Sequence, residues 1–125
     1  KKEYDYENQL LANFQNTNLT FMNNILKLCN NSFPEKKLIQ LGLTFKPNSD
    51  DLRDSLSLQL YLNLLKEGFE IYPVDDNVDP ENFKFKLYSF NEASRLTSNV
   101  LISTFHESFN SLDFKDMKVE IIGNK

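Results

Sequence analysis

Three scarcities narrow this 125-residue sequence before any motif is read. It holds one cysteine, Cys29, so no internal disulfide can form, and a reducing compartment, by default the cytoplasm, is expected. No apolar run approaches the roughly 20 residues that a membrane-spanning helix needs. The opening KKEYDYENQ also lacks the apolar core of a signal peptide, so a soluble chain with no membrane partner is expected. Cations are outnumbered, 14 Lys and Arg against 18 Asp and Glu, leaving a formal net charge of −4. There is thus no global field to attract nucleic acid, and an anion must be held by locally placed cations. What is present is enough for one domain with a real core, since 40% of residues are apolar and 26% charged.

Residues 1–33 read as a unit of their own. Leu11, Phe14, Asn18, Met22, Ile25 and Cys29 recur every three or four positions, which predicts an amphipathic helix or a broken pair whose apolar face must be buried. NNSFPEKK (30–37) is a polar turn with a proline, and it separates that helical segment from an α/β domain over 34–125. A strand is expected near 37–43, a helix at 56–67 stopped by Gly68 and capped by Ser55, and a strand at 69–74. The alternating FKFKL (83–87) reads as a further strand. A short helix over 92–98 capped by Ser89 or Asn91, a strand VLIST (100–104) and a last strand over 117–122 complete the order. Strands alternating with helices imply an α/β, three-layer, Rossmann-like parallel sheet with an N-terminal helical segment.

The loop after the first strand carries the chemistry. In open α/β sheets, ligands bind outside the carboxyl ends of the strands. There Phe45, Lys46 and Arg53 offer a ring face, a point charge and a bidentate fork to a phosphorylated, aromatic ligand. The stretch KLIQLGLTFKPNSDDLRDS resembles the opening of the carboxy-terminal, UDP-binding domain of the UDP-glucose/GDP-mannose dehydrogenase family, the nucleotide-sugar 6-dehydrogenases. It matches the pattern Leu-Gly-Leu-x-Phe-Lys-Pro-x-(Ser/Thr)-Asp-Asp-x-Arg-(Glu/Asp)-Ser. LQLYLNLLKEGFEIYPVDD resembles the helix, turn and strand that follow, NVLISTFHESFNSLDF the strand and Thr-x-His-x-x-Phe segment beyond, and QLLANFQNTNLTFMNNILKL the end of the central dimerisation helix with its linker. The resemblance implies that Phe45 and Lys46 bind the substrate, a UDP- or GDP-sugar, and that the parent is a homodimer or larger; for Arg53 two readings stand, a local pair with Asp50 or Asp54, as a surface arginine often makes, and the place near the cofactor NAD that the resemblance implies.

Other polar residues take plainer readings. Asp75 and Asp76 end a strand as a response-regulator receiver's acidic pair would, but such a pair should follow the first strand, so solvated turn acids are expected and no metal site. His106 reads as a turn histidine, for no cysteine, serine and acid partners stand at motif spacing. Cys29, on an apolar stripe, reads as an inert core residue.

Two features that the family's chemistry requires are not found here. The family oxidises a primary alcohol to a carboxylate by two hydride transfers to NAD, through a thioester on a cysteine in a Gly-Gly-Ser-Cys-like loop. Neither that loop nor a Gly-x-Gly-x-x-Gly turn occurs in this sequence. The expectation is a nucleotide-sugar-binding part of an NAD-dependent dehydrogenase of polysaccharide synthesis, with no catalytic residue of its own and NAD held largely by an amino-terminal domain. The sequence departs from the family in two places. Leu56 replaces a proline at the helix start, and Ile122, Gly123 and Asn124 stand where Asp-Gly-Arg is usual. A missing guanidinium costs on the order of 2 kcal/mol of nucleotide binding, so low affinity is expected. The alternative, from another class, is a non-catalytic interaction or oligomerisation module with a receiver-like or flavodoxin-like α/β fold, associating through a helix over 8–28.

Overall fold

The computed structural model describes residues 19–122. Helix α1 occupies residues 19–32, and it is followed by β1 (Lys37–Leu41), α2 (Leu56–Lys66), β2 (Glu70–Val74), α3 (Phe90–Ser94), β3 (Asn99–Ile102) and β4 (Lys118–Ile121). The sheet has the order β2-β1-β3-β4 and all its ladders are parallel, with Ile39 beside both Tyr72 and Val100. That order belongs to doubly wound folds, in which chain direction across the sheet reverses between β1 and β3.

Alternation along each strand divides the core into two layers of side chains. Leu38, Ile71 and Leu101 point to one face, where they pack with Leu60, Tyr61 and Leu64 of α2 and with Met22, Ile25 and Cys29 of α1. Ile39, Leu41, Tyr72, Val100 and Ile102 point to the other, against Ala93 of α3 and Phe109. The described part of the N-terminal helical segment therefore buries its stripe on the α/β domain itself. Leu11, Phe14 and Asn18, which head the predicted stripe, lie outside the described residues, as do Gly123 and Asn124.

Local chemistry sets the element ends. β1 stops before Gly42, whose φ is +92° and whose missing Cβ would fall 2.0 Å from the Thr104 carbonyl oxygen, so only glycine fits there. Ser55 caps α2 by accepting the Leu58 N–H at 3.0 Å, as expected, and Gly68 at φ +92° follows its end. Ser89 and Glu92 form a reciprocal capping box that starts α3 at Phe90, two residues before the expected start at 92.

The expected strand over residues 83–87 does not form. Its outer neighbour would be β2, an edge strand whose Pro73 turns its carbonyl outward to accept the Tyr88 N–H at 2.8 Å. The nitrogen of Pro73 has no hydrogen to give on that same side, so an added strand would lose a ladder bond. The alternating rings instead build an aromatic cluster outside α2, with Tyr61, Phe83 and Phe85 at centroid distances of 5.3 to 5.6 Å.

Candidate functional site

At the carboxyl ends of β1 and β3, where the strand order reverses, the two loops and α1 enclose a groove of about 320 Å³. Its walls are Phe21, Met22 and Ile25 of α1, Leu56, Ser57 and Leu60 of α2, Phe45, Lys46 and Pro47 after β1, Ser103 and Thr104 after β3, and Ile122 after β4. The sequence placed Phe45 and Lys46 in such a crevice, and the structure brings them together there. Phe45 is 55% exposed, and the Lys46 ammonium has no ion-pair or hydrogen-bond partner among the described residues. An exposed ring and a free cation over an apolar floor suit a ligand that carries both a planar group and a phosphate.

Arg53 sits elsewhere on the same loop. Its guanidinium makes a forked pair with Asp51, Nε donating to Oδ1 and Nη2 to Oδ2, both at 3.0 Å, with 87% of the side chain exposed. The hydrogen bond from this guanidinium holds the Asp51 carboxyl down at about 2, and the same bond raises the Arg53 pKa. Arg53 does not line the groove; it borders a separate depression with Asp50, Leu52 and Asn82.

One plain reading is corrected. Asp75 is not a solvated turn acid: it is buried, its Oδ2 accepts the Leu43 N–H at 2.7 Å and its Oδ1 the Asn77 N–H at 2.9 Å. Its neighbour Asp76 is exposed, as expected. His106 stands at the start of the turn over Glu107–Ser111, as expected, and is 1% exposed. Nδ1 of its ring accepts the Asn48 N–H at 2.8 Å and its Nε2 lies 3.0 Å from Asp75 Oδ2. The reason is topological, for the parallel sheet carries the ends of β1, β2 and β3 to one rim, where polar residues distant in sequence satisfy one another.

Cys29 is fully buried, and loss of hydration, with Glu120 nearby, pushes its thiol up to about 12. Such a thiol stays protonated at neutral pH and is no nucleophile, as its place on the apolar stripe implied. Ser57, Ser103 and Thr104 were not singled out from the sequence. Thr104 Oγ1 donates to the Thr44 carbonyl at 2.9 Å and lies 2.5 Å from Ser57 Oγ, tying the groove's floor to the loop. The signal for Ser103 and Thr104 was the hydroxyl pair that closes VLIST at a strand's carboxyl end.

The chain resembles known proteins over most of its length. Residues 39–125 match the model of the UDP-glucose/GDP-mannose dehydrogenase family, UDP binding domain. GDP-mannose 6-dehydrogenase of Pseudomonas savastanoi pv. phaseolicola is 30% identical over 97% of this chain and 26% of its own length. UDP-N-acetyl-D-mannosamine dehydrogenase of Methanocaldococcus jannaschii is 30% identical over 66% of this chain and 19% of its own. Among solved structures, the UDP-N-acetyl-mannosamine dehydrogenase of S. aureus superposes with a TM-score of 0.63 at 27% identity, covering 82% of this chain and 25% of that one. The chain thus spans about a fifth to a quarter of the length of these relatives.

Proposed function

The chain belongs to the UDP-glucose/GDP-mannose dehydrogenase family and carries its UDP binding domain, and from that premise we propose that the groove between the β1 and β3 loops receives the nucleotide of a nucleotide sugar. Lys46 bonds the diphosphate as a point charge, and Phe45 packs its ring face on the ligand. The observation that carries this reading is their joint position at the point where strand order reverses, exposed and with no partner for the ammonium among the described residues. Arg53, held at the other end of the loop by Asp51, is assigned to the dinucleotide side of the parent enzyme.

The parent reaction is the NAD-dependent oxidation of a nucleotide hexose to its uronic acid. The residues described here do not fit the tasks of holding NAD or carrying the acyl group. The turn after β1 contains one glycine, Gly42, already in contact with the Thr104 carbonyl, and the thiol of Cys29 is buried and protonated. The domain therefore binds substrate and leaves catalysis to other parts of the parent. A second reading, association through α1, draws on the exposure of Leu19 and Phe21 on that helix.

Calorimetric titration with UDP, UDP-glucose and GDP tests the proposal. Micromolar to millimolar binding that disappears in Lys46→Ala is expected. No binding, together with self-association in sedimentation, would favour the second reading.

A further inference from the structure

The loop that carries Phe45 and Lys46 has an exposed tip and a buried root, and the root converges on one imidazole. His106 follows β3, yet its Nδ1 receives a backbone hydrogen from Asn48, two residues beyond Lys46, at 2.8 Å. An amide N–H only donates, so Nδ1 is the bare, accepting nitrogen and the ring hydrogen sits on Nε2. That hydrogen faces Oδ2 of Asp75, 3.0 Å away at the end of β2. The same carboxylate oxygen takes the Leu43 N–H at 2.7 Å, on the opposite limb of the loop. Asn48 completes the circuit by accepting the Glu107 N–H on its side-chain oxygen at 2.8 Å, while its own backbone takes a left-handed φ of +60°.

We propose that His106 and Asp75 are positioning residues for nucleotide-sugar binding, clamping both limbs of the loop so that Lys46 and Phe45 face the groove. The proposal rests on the groove being the nucleotide site. Both side chains are buried and neither lines the groove, so they touch no ligand and act only through the loop. The benefit is entropic: a loop fixed before the ligand arrives loses less freedom on binding. The clamp also accounts for Asn48 holding a conformation that non-glycine residues rarely adopt, because two hydrogen bonds to one residue reward it.

Two substitutions divide the clamp. His106→Asn puts a side-chain oxygen near the place of Nδ1, keeping an acceptor for the Asn48 N–H, whereas His106→Leu fills similar space and keeps none. UDP affinity, thermal stability and Asn48 amide exchange are compared for the full chain, both variants and Lys46→Ala. The expected result is about ten-fold weaker UDP binding and fast Asn48 exchange in His106→Leu, with most of both restored in His106→Asn. A residue that only supports the fold would shift the melting temperatures and leave the affinity of the folded fraction alike in both variants.

UDP affinity in His106→Leu within two-fold of the unsubstituted chain, or fast Asn48 exchange in that chain, overturns the clamp while leaving the site intact. Affinity untouched by Lys46→Ala overturns the site reading instead, and a chain that binds no UDP overturns both.

Discussion

The tip and the root of the β1–α2 loop are built by opposite rules. At the tip, Phe45 and Lys46 lie in solvent, with the ammonium free of partners among the described residues. At the root, Leu43, Thr44, Asp75, Thr104 and His106 are buried and joined by hydrogen bonds of 2.7 to 3.0 Å. Recognition needs groups whose bonding capacity is still unspent, and precision needs groups whose capacity is fully used. On this plan a chain of net charge −4 keeps one ammonium, that of Lys46, without a partner among the described residues. Arg53 shows the contrary case within the same loop, its charge matched by Asp51.

Substitutions at the root should unfold and those at the tip should only unbind. The largest effect is expected for Gly42→Ala, whose Cβ would meet the Thr104 carbonyl at 2.0 Å in a left-handed conformation. A loss of about 3 kcal/mol or more in denaturant unfolding is predicted. Gly68→Ala has a similar φ with nothing within 4 Å, and should cost only about 1 kcal/mol, which isolates the clash from the backbone preference. Asp75→Ala strands the Leu43 and Asn77 amides and should cost about 2 kcal/mol, with UDP binding weakened as well. Lys46→Ala should leave the melting temperature unchanged and abolish measurable UDP binding; a drop in stability instead would place Lys46 with the root.

A separate effect is expected in alkali. Folding raises the Cys29 thiol from 9.0 to about 12, so its contribution to stability is full below pH 9 and is lost as pH rises through 12. Tyr72 is raised from 10.0 to about 12 by burial and by its hydrogen bond to Glu70, so its contribution is full below pH 10 and is lost as pH rises through 12. Stability measured from pH 8 to 12 should therefore fall, and Cys29→Val should flatten the thiol's part of the slope.

Those parts of the fold whose signals are local were legible in the sequence. Ser55 and Gly68 marked α2, the apolar KLIQL marked β1, and the loop motif marked where Phe45 and Lys46 would stand. The segment over 83–87 misled because its alternation was real, while the reason against a strand lay in Pro73 on a neighbouring edge. Asp75 read as solvated because acids near turns usually are, and nothing local in the sequence marked the burial of His106. Leu43 is 32 positions from Asp75, Asn48 is 58 from His106, and the two side chains are 31 from each other, so only the sheet rim brings these groups within reach. The groove's floor was hidden for the same reason, since Ser57 and Thr104 meet across 47 positions.

Mapping amide shifts during addition of UDP to the isotopically labelled chain tests most directly whether the groove at the strand-order reversal is the nucleotide site. The account predicts that the largest changes fall on Phe45, Lys46, Ser57 and Thr104. Changes confined to the surroundings of Arg53 and Asn82, with that quartet unmoved, would contradict it.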